Sequence, residues 1–187
     1  MTDTEVRLRT AHTADLAAAE LTAIRVLLDA AFAGHPDGAF TDADWDHTLG
    51  GIHVMAWEGD ALIGHASVVQ RRLLHGGRAL RTGYVEAVAV RADRRRRGHG
   101  GALMSVAERY IRGAYELGAL GAAEEAVPFY AGRGWQRWQG PTSALTPYAG
   151  VVPTPDEDGF IYVLPLAPTP LDPTAPLTCD WRDGDVW

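Results

Sequence analysis

Four consecutive arginines, Arg94, Arg95, Arg96 and Arg97, stand against Gly98, Gly100 and Gly101, and an amphipathic stretch follows at once. Glycine lets the backbone approach a ligand closely because no Cβ intervenes. A helix that starts there presents its first N–H groups, which have no intrahelical partner, and the positive end of its dipole. With guanidinium donors added, this is the chemistry of a phosphate site. Without an anion the arginines oppose the dipole, which disfavours a merely solvated charge run. Two other phosphate loops do not fit: the spacing is not G-x-G-x-x-G after an early strand, and there is no G-K-[ST].

The elements that must position this loop are legible in the hydrophobic period. Residues 5–10 alternate as a strand does. Leu16, Leu21, Ile24, Val26, Leu27 and Ala31 recur at roughly helical spacing, with Thr13 as the natural N-cap. A Gly/Pro/Asp-rich loop over 33–49 holds one helical turn near 44–49, and residues 51–74 read as a hairpin turning at Gly59-Asp60. A third strand over 79–90 delivers the chain to the arginine loop. A helix over 98–117 follows, with Leu103, Val106, Ala107, Tyr110, Ala114 and Leu117 on one stripe. A buried strand at 117–122, a short helix within 124–135, a strand from Trp135, a proline- and acid-rich loop (147–159) and a last strand (160–166) complete the core. The proline-rich tail from residue 167 predicts an extended run over the surface. The order predicts an α/β fold: a central mixed, mostly antiparallel sheet flanked by helices.

A chain of 187 residues predicts a single domain over 1–187, with a core of about 5–166 and a tail of 167–187. The formal net charge of −7 argues against a broad nucleic-acid face and is compatible with cationic partners. No apolar run reaches the roughly 18 residues of a membrane span, and the first ten residues lack a signal peptide's apolar stretch. No nucleic acid and no membrane are therefore expected as partners, and the single cysteine, Cys179, makes the cytoplasm the expected setting. Asp180 beside that thiol raises its pKa and makes it a poor nucleophile. The seven histidines show no paired ligand spacing, so no metal is expected. Trp181 and Trp187 predict that the tail docks, on its own domain or across a dimer interface.

Arg95-x-x-Gly98-x-Gly100 fits the [QR]-x-x-G-x-[GA] pattern of the GCN5-related N-acetyltransferases, and its place after the third meander strand and before a long helix follows that family's core order. The chain thus resembles this family over roughly residues 5–166. The stretches FTDADWDHTLGGIH, HASVVQRRL, ALRTGYVEAVAVRAD, RGAYELGAL, YAGRGW, GPTS, TPDEDG and CDWRDGDVW are similar, more narrowly, to the aminoglycoside 2'-N-acetyltransferases.

The resemblance implies a GNAT fold, acetyl-CoA as donor and direct transfer in a ternary complex. It implies that the backbone of Val88, Ala89 and Val90 holds the pantetheine arm, and that Arg95, Arg96, Arg97, Gly98, His99, Gly100 and Gly101 hold the pyrophosphate. Glu86 stands two positions before Val88, on the same face of its strand, and is the expected base. Tyr130 is the expected acid that protonates the departing thiolate. Asp37, Glu86, Ala87, Gly121, Asp156, Glu157, Asp185 and Trp187 are expected to border a cationic aminoglycoside, with carboxylates and aromatic faces suited to ammonium groups. Gly121 stands where that family tends to carry serine. A homodimer and a role in antibiotic resistance are implied as well. Two other readings stay open: an acetyltransferase for another cationic amine metabolite or N-terminal amine, and a CoA-binding relic without turnover.

Overall fold

A computed structural model describes residues 5–35 and 38–187. The chain divides into two compact units, residues 1–69 with 85–109, and residues 70–84 with 110–187.

In the first unit β1 (Val6–His12) pairs antiparallel with β2 (Ile52–Glu58), and β2 pairs with β3 (Ala61–His75). The predicted hairpin is present: Glu58 faces Ala61 across the turn, where Gly59 takes φ +59°. Next to β3 in the sheet runs β4 (Arg78–Val90). Helix α1 (Ala18–Phe32) buries Ile24, Leu27 and Leu28 against Met55, Leu62 and Ala89. Thr13 does not cap it. The Thr13 hydroxyl instead accepts the Gly50 N–H at 2.9 Å and meets the His53 ring at 2.8 Å, so α1 begins later, with the Glu20 carboxylate accepting the Ala17 N–H at 3.0 Å. Helix α2 (Asp42–Thr48) is capped reciprocally by Thr41 and Asp44, which commits Asp44 to structure. Helix α3 (His99–Ala114) starts next to the predicted position, but its buried residues are Leu103, Met104, Ala107, Glu108 and Ile111. Gly64 on β3 gives α3 room: a Cβ there would lie 2.9 Å from the Leu103 side chain.

In the second unit β5 (Leu117–Gly121) pairs parallel with β4 through Thr82, Gly83 and Tyr84, and antiparallel with β9 (Ile161–Pro165). The short helix α4 (Val127–Ala131) leads to β6 (Gln136–Arg137), which pairs with β9. Two findings differ from the sequence expectation. The loop predicted over 147–159 contains half of a hairpin, β7 (Thr142–Thr146) with β8 (Gly150–Pro153). The tail is not draped on the surface: β10 (Leu177–Cys179) joins the sheet, antiparallel to β3 and parallel to β7. Three residues suffice as a strand because both edges are paired. The sheet is mixed, mostly antiparallel, with parallel pairs at β4–β5 and β10–β7, as predicted.

The tail is held by more than β10. The backbone N–H groups of Gln139 and Gly140 both donate to the Pro173 carbonyl at 2.9 Å, and the buried Trp138 indole donates to Ala175 O at 3.0 Å. At Gly140 a side chain would overlap the Ala175 carbonyl, which is backbone and cannot swing aside. Gly140→Ala is therefore expected to destabilise the fold by about 2 kcal/mol or more, read as a thermal midpoint lowered by roughly 4 °C or more; an unchanged midpoint refutes this account of tail docking.

Candidate active site

At the end of β4 in the first unit, Ala87 takes φ +49° in a residue that carries a Cβ. The residues around it stay reachable: Glu86, Ala87, Val88 and Val90 are half-buried and only Ala89 is fully buried. Ser67 and His65 on β3 donate to consecutive carbonyls, Glu86 O at 3.3 Å and Ala87 O at 2.9 Å. Beyond Val90 the arginine run divides. Arg94 turns inward and forks onto Glu58, at 2.6 Å to Oε2, with a second bond to Asp93, so it is spoken for by the fold. Arg95, Arg96 and Arg97 are exposed, and the Arg95 Nε donates to Val90 O at 3.1 Å. Arg96 and Gly98 adopt φ of +64° and +86°, and the first intrahelical bond of α3 runs from Ala102 N–H to Gly98 O. The N–H groups of His99, Gly100 and Gly101 precede that bond, as an anion site at a helix N-terminus requires.

Two buried imidazoles lie behind β4. The His53 Nδ1 is 2.9 Å from the His65 Nε2, and both rings are closed to solvent. Burial, with His12 nearby, pushes the His53 pKa down to about 4. Burial, with the neighbouring His53, pushes that of His65 to about 3, against a weaker opposing pull from the Ala87 carbonyl. Nothing in the sequence pattern brought these two residues together. The signal was the hairpin register, which sets His65 opposite Met55 and therefore diagonal to His53 on one face.

In the second unit Tyr130 on α4 is buried against Phe129 and Trp135, with ring centroids 5.1 and 6.2 Å away. Burial raises its phenol to about 12, so it is a protonated donor at neutral pH. Asp156 and Glu157 occupy a 3-10 turn (Pro155–Glu157) directly after Thr154. The Thr154 hydroxyl accepts the Trp187 indole N–H at 2.9 Å, which brings the acidic turn beside the chain terminus. Asp185 accepts the Trp187 backbone N–H at 3.0 Å, and Arg182 donates to the Trp187 carbonyl. Gly121 ends β5, and a Cβ there lies 4.0 Å from the Tyr84 hydroxyl. Asp37 lies outside the described residues. Cys179 is buried, and its thiol is pushed up to about 11, chiefly by burial and less by Asp180, so the expectation of a poor nucleophile holds with a different leading cause. A cleft lined by Tyr148, Val152 and Trp181 contains none of the predicted site residues. Among the described residues no group of His, Cys, Asp and Glu is placed to hold a metal, and no helix is long and apolar enough to cross a membrane.

A meander that runs into an arginine-glycine loop and then a helix gives a βα junction whose leading N–H groups and guanidinium side chains suit an anion. The family described as Acetyltransferase (GNAT) domain matches residues 12–138, and the chain belongs to it. An aminoglycoside 2'-N-acetyltransferase of Mycolicibacterium fortuitum is 52% identical over 182 residues, 96% of this chain and 91% of that protein. Among solved structures, Escherichia coli ElaA is similar in fold, with a TM-score of 0.62 and 20% identity over 85% of this chain and 99% of its own. A GNAT family acetyltransferase from Brucella melitensis, solved in complex with acetyl-CoA, has a TM-score of 0.55 and 20% identity over 71% of this chain and 84% of its own.

Both imidazoles are neutral in the fold but bind a proton on unfolding below their ordinary pKa of 6.5. Their depressed values mean that stability is full above that pH and is lost as pH falls toward about 4 and about 3. Urea unfolding at pH 7 and pH 5 is expected to differ by up to about 4 kcal/mol from these two groups; equal stabilities at the two pH values contradict their neutrality.

Proposed function

We propose that this chain transfers an acetyl group from acetyl-CoA to the 2'-amine of aminoglycosides, directly within a ternary complex, and that it thereby confers resistance to these antibiotics. The observation that carries the reading is the 52% identity to the Mycolicibacterium fortuitum enzyme across 96% of this chain. A family match over 12–138 that draws on both compact units supports one catalytic domain over 1–187.

The residues present fit the donor. The exposed Arg95, Arg96 and Arg97, the left-handed backbone at Arg96 and Gly98 and the first N–H groups of α3 suit a pyrophosphate. Val88, Ala89 and Val90 offer backbone to the pantetheine arm, and acetyl-CoA supplies a thioester-activated acetyl group. Glu86 takes the proton of the incoming ammonium, directly or through water, leaving a nucleophilic amine. The Val88 N–H polarises the acetyl carbonyl. Tyr130, protonated and dry, gives its proton to the departing sulfur. Ala87, Gly121, Asp156, Glu157, Asp185 and the Trp187 terminus border the cationic sugar, together with Asp37, and their charge is worth most where water is excluded.

The same reading places the protein in the cytoplasm as a homodimer. The exposed Leu145, Tyr148, Val151, Val152 and Trp181, more apolar surface than a lone β7–β8 hairpin with its neighbouring tail needs, support a covered face.

Release of free thiol from acetyl-CoA across gentamicin, tobramycin, kanamycin A (a 2'-hydroxyl compound), spermidine and a peptide N-terminus tests the function. Turnover with the first two and none with kanamycin A is the expected result; turnover of kanamycin A refutes the regiochemistry, and silence on all aminoglycosides refutes the substrate class. Glu86→Gln and Tyr130→Phe are each expected to lower kcat by roughly 10²-fold, while calorimetric affinity for CoA changes little. Full activity of either variant removes that residue from its role.

A further inference from the structure

We propose that His65 and His53 are positioning residues of the acetyl transfer: they form a one-way chain of hydrogen bonds that ends on the Ala87 carbonyl and fixes the backbone between Glu86 and Val88. The inference rests on the reading above, in which Glu86 carries the proton and Val88 the polarising N–H.

The direction of the chain follows from its two ends. A carbonyl only accepts, so the bond of 2.9 Å to Ala87 O requires hydrogen on the His65 Nδ1. A neutral His65 then has a bare Nε2, which must accept from the His53 Nδ1 at 2.9 Å. The His53 Nε2 is bare in turn and accepts the Thr13 hydroxyl at 2.8 Å. At the other end the Gly50 N–H, which can only donate, fills the Thr13 oxygen at 2.9 Å. Five groups on β1's exit, β2, β3 and β4 are thus satisfied in one sense only, with both imidazoles as Nδ1–H tautomers. An added proton reverses the sense: the cationic ring then donates at both nitrogens, and the Thr13 hydroxyl turns to Gly51 O, 3.3 Å away. Full burial of both rings opposes that state, and their lowered pKa values agree.

Ala87 is the point where this chain acts. Its φ of +49° is a conformation that a residue with a Cβ holds only when its surroundings impose it. His65 and Ser67 donate to its carbonyl and to that of Glu86, so two successive carbonyls are fixed by side chains of β3. Turning the Ala87–Val88 peptide turns the Val88 N–H with it, while the Ser67 bond holds the preceding peptide, next to Glu86. Neither histidine is expected to touch substrate.

Two substitutions separate positioning from packing. In His65→Asn the amide nitrogen falls where Nδ1 stood and still donates to Ala87 O, but the bond to His53 is lost. In His65→Gln the amide falls where Nε2 stood, keeping His53 and losing Ala87. Relative to the parent, His65→Gln is expected to lose about tenfold in kcat, the worth of one ordered hydrogen bond, with the KM for acetyl-CoA nearly unchanged. His65→Asn is expected to rescue most of that loss although it costs comparable thermal stability. Equal kcat in the two variants, or a loss that tracks stability, overturns the proposal. A second measurement needs no amine and no variant: 15N chemical shifts of the imidazoles in the intact protein at pH 7. Protonated Nδ1 and bare Nε2 in both rings are the expected pattern, and an Nε2–H tautomer or a cationic ring overturns the proposal. Silence of the parent on every amine with that pattern intact would instead fault the substrate reading alone.

Discussion

The left-handed residue inside β4 is the constraint on which the rest of the first unit depends. A strand residue with a Cβ at φ +49° costs on the order of 1–3 kcal/mol. The same distortion takes local carbonyls out of the regular ladder, where every buried polar group still needs a partner. The fold meets the demand with short polar side chains from β3, an imidazole and a hydroxyl, set two residues apart so that both face β4. The imidazole then needs a partner of its own, which recruits His53, and His53 recruits Thr13. That last requirement is why Thr13 is unavailable as a helix cap and why α1 starts at Ala18. A local distortion in β4 thus propagates, one hydrogen bond at a time, into the start of a helix.

In the second unit the comparable role falls to one buried guanidinium. Arg71 on β3 is 4% exposed, and a buried charge is tolerated only when it is paired and hydrogen-bonded. Its Nε meets Asp180 Oδ1 at 2.8 Å, its Nη2 meets the carbonyls of Asp180 and Val186 at 2.8 and 2.7 Å, and it lies 4.9 Å from the Tyr84 ring centroid. Every oxygen in that set belongs to the tail. β10 alone, three residues long, is a weak strand; with the Arg71 cluster behind it the tail is fixed to its last residue, and the Trp187 indole reaches Thr154 beside the acidic turn. Removing one partner of such a cluster leaves a charge buried alone, which costs more than the pair contributed.

What was legible in the sequence was what local pattern determines. The β2–β3 hairpin followed from Gly59-Asp60, and the βα junction from glycines next to a 3.6-residue period. What was not legible depends on partners far along the chain. Leu177, Thr178 and Cys179 sit among prolines and look like coil; they are a strand only because Leu73 and Leu74 on one side and Thr142, Ser143 and Ala144 on the other offer free ladder edges. The β7–β8 hairpin is local and was hidden instead by the prolines that flank and end it. On α3 the period was right and the phase was off, since tertiary packing selected Met104 and Ile111 over Val106 and Tyr110. For the candidate site, the arginine loop was readable as residue types at a spacing and Glu86 as a strand position, whereas Tyr130 was named by the family resemblance alone. The histidines behind them were not, because two isolated histidines in apolar strands acquire meaning only through the hairpin register.

The arginine run itself shows how an acidic chain keeps a basic loop. Arg94 is consumed by Glu58 and Asp93, and Arg91 by Asp93 at 2.6 Å. These bonds hold both carboxyls below their usual range: for Glu58 the Arg94 hydrogen bond is the leading cause, for Asp93 that of Arg91. The loop is thereby pinned at its first residue to the end of β2, while Arg95 pins it to the end of β4 through Val90 O. After those anchors the backbone turns left-handed at Arg96 and Gly98, and the side chains of Arg95, Arg96 and Arg97 are all exposed. Four identical residues therefore do two different jobs in sequence order. The first neutralises acid inside the fold, and those that follow leave their positive charge at the mouth of a helix, where an anion is the partner that both the dipole and the guanidinium groups favour.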